Sequence, residues 1–124
     1  MIHNFDELKR CRKWIEDALA YSGDTHDFVH IVDGLIEGKF QFWSNDQCCV
    51  ITEVIDYPKK RVLHIFLAGG KLDHIRALEE KAVEWAKSIG CSAFTLTGRK
   101  GWEKALKNDG WEYTHTSMIK RIQL

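Results

Sequence analysis

Apolar residues along this chain change their spacing twice, near Lys39 and near Leu72, and the two switches divide it into a helical pair, a run of strands and a closing unit. Phe5, Leu8, Cys11, Ile15, Ala18 and Leu19 recur at three to four residues, which puts them on one face of a helix, and Asn4 and Glu7 have the spacing of a capping box at its start. Tyr21-Ser22-Gly23-Asp24 breaks that pattern. A second helix is predicted from near Thr25, burying Phe28, Ile31, Val32 and Leu35 and ending at Gly38. From Lys39 the runs become short and rich in β-branched and aromatic residues: 40–43, 49–55 and 62–67. Asn45-Asp46-Gln47 and Tyr57-Pro58-Lys59-Lys60 separate them, so three antiparallel strands are predicted.

Between Leu72 and Ile89 the helical period returns, with Leu72, Ile75, Leu78, Ala82, Trp85 and Ile89 on one stripe and Asp73, Arg76, Glu80, Glu84 and Lys87 opposite. Gly90 ends this helix. The strand at 93–97 is then expected to return parallel to 62–67, completing a right-handed crossover. Gly98-Arg99-Lys100-Gly101 leads into a short helix that stops at Gly110-Trp111, and the weakly alternating run from Trp111 to Ile122 is read as one long strand. The expected architecture is α+β in a single domain over 1–124: a mixed, mostly antiparallel sheet flanked by helices.

That order over residues 62 to 111, strand, glycine turn, amphipathic helix, strand, short helix, Gly-aromatic, resembles the C-terminal half of the GCN5-related N-acetyltransferase (GNAT) superfamily. The likeness in element order extends over 25–122. Trp85-Ala86-Lys87-Ser88-Ile89-Gly90-Cys91 is similar to the end of that superfamily's main helix, and Gly110-Trp111 resembles its recurrent Gly-Phe. The superfamily's first strand has no counterpart, because a helix starts within four residues of Met1. The succession of Leu67-Ala68-Gly69-Gly70, an amphipathic helix and Gly98-Arg99-Lys100-Gly101-Trp102 also resembles short GNAT-like proteins encoded in tailed-phage genomes.

The resemblance implies acetyl-CoA as cofactor, held at a Gln/Arg-x-x-Gly-x-Gly/Ala turn where backbone N–H groups meet the pyrophosphate. Counted back from Trp85, the two glycine places fall within Lys71-Leu72-Asp73-His74-Ile75, which contains none, and Asp73 puts a carboxylate where a phosphate would approach. Gly69-Gly70 with Lys71 is either a shortened cradle or a strand-to-helix turn, with Leu67 to Gly69 offering backbone N–H groups to a carbonyl. The tyrosine that serves as general acid in the superfamily is replaced by Leu106. Glu53 and His64 are the candidates for a general base; the alternatives are an edge carboxylate and a hydrogen-bonded core histidine.

Arg99, beside Lys100 in a glycine-bracketed loop, suits an anion or an acidic protein surface. Trp102 behind it either stacks on a ligand ring or packs the short helix onto the sheet. Trp43, Arg99 and Trp111 are candidates for an interface, the sheet being expected to leave an open edge.

Eighteen basic residues balance eighteen acidic ones, which removes the field expected of a nucleic-acid binder. With no leader-like start and no long apolar run, a soluble protein away from membranes is expected, in the cytoplasm or, if phage-encoded, in the host cytoplasm or virion. Four cysteines lack zinc spacing, His26 and His30 lack a third ligand nearby, and no metal is expected. Two functions follow. One is a catalytically degenerate GNAT-fold protein acting through contacts with a protein partner or in a homo-oligomer, with a phage particle or its assembly as the expected setting. The other is an acyl-CoA-dependent N-acetyltransferase.

Overall fold

The first amphipathic stretch folds as two helices, α1 (Phe5–Arg10) and α2 (Arg12–Tyr21), where the periodicity predicts one. Only Cys11 is out of helical register, and the ladder runs through it: its N–H bonds the Glu7 carbonyl and its carbonyl accepts from Ile15, each at 3.1 Å. This computed structural model describes residues 5–98 and 101–123, so Asn4 of the expected capping box lies outside them. Glu7 instead pairs with Arg10 and accepts a 3.1 Å bond from the Ser44 hydroxyl. A cap the sequence reading missed opens α3 (Phe28–Ile36), where the Asp27 N–H donates to His30 Nδ1 at 2.8 Å.

β1 (Phe40–Ser44), β2 (Cys48–Asp56) and β3 (Arg61–Gly70) form the expected antiparallel meander. The Asn45 side chain closes its first turn by accepting from the N–H groups of Gln47 and Cys48, both at 2.9 Å. β3 runs three residues further than expected, through Gly69 and Gly70, which pair with Cys49 and Cys48. A 3-10 turn at Leu72–His74 then starts α4 (Ile75–Ser88), at 14 residues the longest helix. β4 (Cys91–Leu96) returns parallel to β3, and α5 (Gly101–Leu106) follows, extended by a 3-10 turn at Lys107–Asp109. The sheet is open, in the order β1-β2-β3-β4, and among the described residues no strand precedes α1. The strand expected from Trp111 to Ile122 is absent: residues 111–123 carry no regular structure. Adjacent apolar residues at Met118-Ile119 break the two-residue period, and the run joins no ladder although β4 is an edge strand.

Strand alternation sends successive side chains to opposite faces, so the adjacent Cys48 and Cys49 belong to different cores. Leu8, Ile15, Ile31 and Leu35 of the first three helices pack on Phe40, Cys49, Ile51 and Leu67. Ile75 and Leu78 of α4 with Trp102 and Leu106 of α5 pack on Cys48, Val50 and Ile65 across the sheet. Trp85, expected in that stripe, is only partly buried and meets Trp43 edge-on at 5.8 Å. The β2–β3 register shifts at Ile51/Thr52, leaving Phe66 as an extra residue that stacks on Phe40 at 5.4 Å. No helix among the described residues is long and apolar enough to cross a membrane.

Candidate functional site

β3 and β4 stay paired from Arg61/Cys91 to Ile65/Leu96 and then part company. Beyond that point β3 continues to Gly70 with only β2 beside it, while β4 ends at Leu96 and the chain passes on to α5, which leaves a strandless gap, a wedge, beside the last residues of β3. What fills the wedge differs between the two faces of the sheet.

On the α4–α5 face it is apolar. Trp102 and Leu106 are buried in the cluster that includes Ile65, Ala68 and Leu96. Gly98 permits this arrangement by close approach, since a Cβ there would stand 2.6 Å from Trp102 Cδ1. The space left between α4 and the sheet, lined by Trp43, Ile65, Leu78, Leu106 and Trp111 among others, amounts to about 10 Å³. That is at most the room of a single water. Trp102 therefore packs the short helix onto the sheet, and Leu106, at the tyrosine's position, is core.

The opposite face carries polar chemistry just before the gap, within the paired stretch. Glu53 stands directly across from His64 in the β2–β3 register, and His64 from Thr95 in the β3–β4 register. His64 Nδ1 and Thr95 Oγ1 are 2.8 Å apart. Burial holds the imidazole below its usual range, opposed by the nearby Glu53 carboxylate. A half-buried, largely neutral histidine with a hydroxyl fixing its ring is a proton acceptor at neutral pH. The two candidate bases are thus neighbours. Thr95 is the member that sequence reasoning missed, although the expected parallel crossover already brought its strand beside residues 62–67.

The other candidates are spread over several environments. Leu67 is buried in the first core opposite Ile51. Gly69 lies under α2, where a Cβ would stand 2.8 Å from both Cβ and the carbonyl oxygen of Trp14. Gly70 has φ +91°, and a Cβ there would come within 2.4 Å of the Gln47 oxygen. The Lys71 N–H is committed to that same oxygen at 2.7 Å. Asp73 does not cap α4: the N-cap residue is His74, without a side-chain bond, and the Asp73 side chain is 83% exposed. The short 3-10 turn displaces the helix start by three residues, from Leu72 to Ile75, and leaves that carboxylate exposed. Arg99 and Lys100 lie outside the described residues.

Trp43 is held in a chain of buried polar groups. Its Nε1–H donates to Thr52 Oγ1, which donates to Gln41 Oε1, both at 2.9 Å. The Trp111 Nε1–H donates to Glu79 Oε1 at 2.9 Å, and its ring meets Phe94 at 5.3 Å. Burial raises the Glu79 carboxyl above its usual range, with the indole bond acting the other way. Residues 111–117, without regular structure, line an open groove of about 640 Å³ together with Leu96 to Gly98 and with Trp102 and Leu106. Among the described residues no three His, Cys, Asp or Glu side chains gather as metal ligands would.

No protein-family model matches the sequence, and no curated protein is significantly similar to it. Solved structures are similar. A predicted acetyltransferase from Clostridium acetobutylicum, solved with acetyl-CoA, superposes with a TM-score of 0.71 at 12% identity, covering 96% of this chain and 92% of that one. The wild-type protein TTHA1254 from Thermus thermophilus gives 0.65 at 14% identity, over 97% and 93%. A GNAT family acetyltransferase from Staphylococcus aureus gives 0.64 at 13%, over 98% and 95%. At such identities the likeness is one of fold, and the chain has the GNAT-like fold.

Proposed function

We propose that this chain uses the GNAT-like fold as a scaffold for protein contacts and has lost acyl transfer. The observation that carries the reading is the filling of the wedge between β3 and β4. Trp102 and Leu106 sit in the apolar cluster there, and the remaining volume beneath α4 is about that of one water. The residues present do not fit acetyl-CoA: the turn before α4 has no glycine at Leu72–Ile75, Gly69 and Gly70 are backed by Trp14 and Gln47, and the tyrosine's position is Leu106. A fold carries no obligation to its usual chemistry. A component of a tailed-phage particle, or of its assembly, is the setting we favour, and capsid, portal or tail genes flanking this one would support it.

Calorimetry with acetyl-CoA and with CoA at near-physiological salt tests the reading. The expected result is no measurable heat of binding. A dissociation constant in the low micromolar range, about 8 kcal/mol, overturns it.

A second reading, an acyl-CoA-dependent N-acyltransferase, is favoured by one observation: the pairing of His64 with Thr95 beside Glu53 on the face opposite the filled wedge. In it His64 takes the proton of an acceptor amine and Glu53 stabilises the resulting imidazolium, while Lys71 and Arg99 supply cations for the donor's phosphates. Micromolar binding of acetyl-CoA that Lys71→Ala and Arg99→Ala both weaken is what this reading requires.

A further inference from the structure

We propose that two copies of this chain join along β1, the first strand of each sheet pairing antiparallel with that of the other. The inference rests on the contact reading and deepens it by naming the partner and the surface. β1 pairs with β2 alone, and among the described residues no other strand lies beside it. Phe40 to Ser44 contain no charge and no proline, the residue types that commonly protect such an edge.

The ladder itself shows which backbone groups are open. The Asn45 N–H donates to the Cys48 carbonyl at 3.0 Å, which makes Asn45 and Cys48 a hydrogen-bonded pair at the turn. Such pairs alternate along an antiparallel ladder, and the register runs from Ser44↔Cys49 to Phe40↔Glu53 without a shift. Gln41 and Trp43 therefore turn their N–H and C=O groups to β2. Phe40, Phe42 and Ser44 turn theirs away from the sheet.

A two-fold axis at Phe42 sets that row against itself: Phe42 faces the second copy's Phe42, and Phe40 faces its Ser44. Side chains single out a second copy as the occupant. Phe42 is only partly buried against the first core, and the axis places two such rings directly across from one another, an aromatic pair of the kind that stabilises neighbouring strands. The same register sets the exposed Lys39 opposite the second copy's Asn45, one residue from its exposed Asp46. Symmetry repeats that opposite-charge approach at both ends of the joint.

Sedimentation velocity on the full chain from low to high micromolar, with residue-resolved amide exchange on the same samples, tests the proposal. Wild type is expected to dimerise within that range, the amides of Phe40, Phe42 and Ser44 being protected in the dimer and exchanging freely on dilution. Those of Gln41 and Trp43 should stay protected throughout. Ser44→Pro removes one outward N–H and leaves the β1–β2 ladder intact, so it is expected to be a monomer with an unchanged circular dichroism spectrum. Lys39→Glu and Asp46→Lys are each expected to weaken the dimer roughly tenfold, and the double variant to restore it. A wild type that stays monomeric at high micromolar, a dimer whose three outward amides exchange freely, or a dimer that Ser44→Pro and both single charge reversals leave intact overturns it. The acetyl-CoA titration, run in parallel, separates this from the parent reading. Tight binding by a dimer sinks the contact function and leaves the β1 pairing standing; a monomer that binds no acetyl-CoA does the reverse.

Discussion

Gly69→Ala separates the two readings of the glycine pair, because they put the damage in different measurements. If Gly69 is there to let a ligand's phosphate approach, alanine weakens binding and leaves stability near wild type. The structure assigns the space to α2: the added methyl stands 2.8 Å from Trp14 Cβ and from its carbonyl oxygen, and helix backbone yields less readily than a side-chain tip. Overpacking of this kind costs about 1–3 kcal/mol, while the stiffer unfolded chain of the variant offsets about 0.4–1 kcal/mol, for a net loss of about 1–2 kcal/mol. Gly70→Ala meets Gln47 oxygen at 2.4 Å and also forces alanine to φ +91°. Left-handed strain adds about 1–2 kcal/mol to that net loss, bringing it to about 2–4 kcal/mol. Gly38→Ala is the control for strain alone, at φ +78° with nothing within 4 Å, and should lose about 1 kcal/mol. Urea unfolding followed by tryptophan fluorescence reads all three as midpoint shifts at constant slope. A Gly69→Ala protein within about 0.5 kcal/mol of wild type, measured beside a clearly weakened Gly70→Ala, would refute the packing account.

Thr52→Val should destabilise by about 1–3 kcal/mol in the same assay, because it leaves the Trp43 N–H and the Gln41 oxygen buried without partners. Leu106→Ala should lose about 2–5 kcal/mol, as expected of a fully packed core leucine; a near-neutral result would put Leu106 in a cavity rather than in the core. Burial keeps the folded-state pKa of His64 below its unfolded value of 6.5, so below that pH the unfolded chain binds more protons. Stability should therefore fall as pH drops from 6.5 toward the folded value, and His64→Gln should flatten that part of the melting-temperature profile.

The second half of the fold was legible because its signals are local. The stripe at Leu78 and Ala82, the stop at Gly90 and the requirement that a crossover return in parallel together fixed α4 and β4 beside β3. Gly69-Gly70 read as a turn because glycine pairs are turn signals. The strand they belong to is imposed from a distance, by Cys48-Cys49 on one side and Trp14 on the other. The candidate bases were found but not their arrangement, since hydrogen bonding between His64 and Thr95 depends on a register spanning 31 residues. Trp43 and Trp111 read as anchors for a partner because five tryptophans outnumber what a small core easily hides; the internal acceptors of their indole N–H groups, Thr52 and Glu79, come from strand register and helix packing that the spacing of the tryptophans does not show. The tail misled because its composition favours a strand, whereas a strand requires a neighbour.

The two faces of the sheet are completed at different times. All residues of the first core lie between Leu8 and Leu67, so a growing chain that has released β3 from the ribosome can already close that side. The other side waits with Val50 and Ile65 uncovered until Ile75 and Leu78, and finally Trp102 and Leu106, have been synthesised. β4 also arrives late, since it reaches β3 only after α4 has carried the chain back. Domains generally acquire structure from the N-terminus during synthesis. A pause in translation just after β3 would therefore present a half-finished sheet with one sealed and one bare apolar face, and that bare face is what a chaperone, or another nascent copy, would meet first.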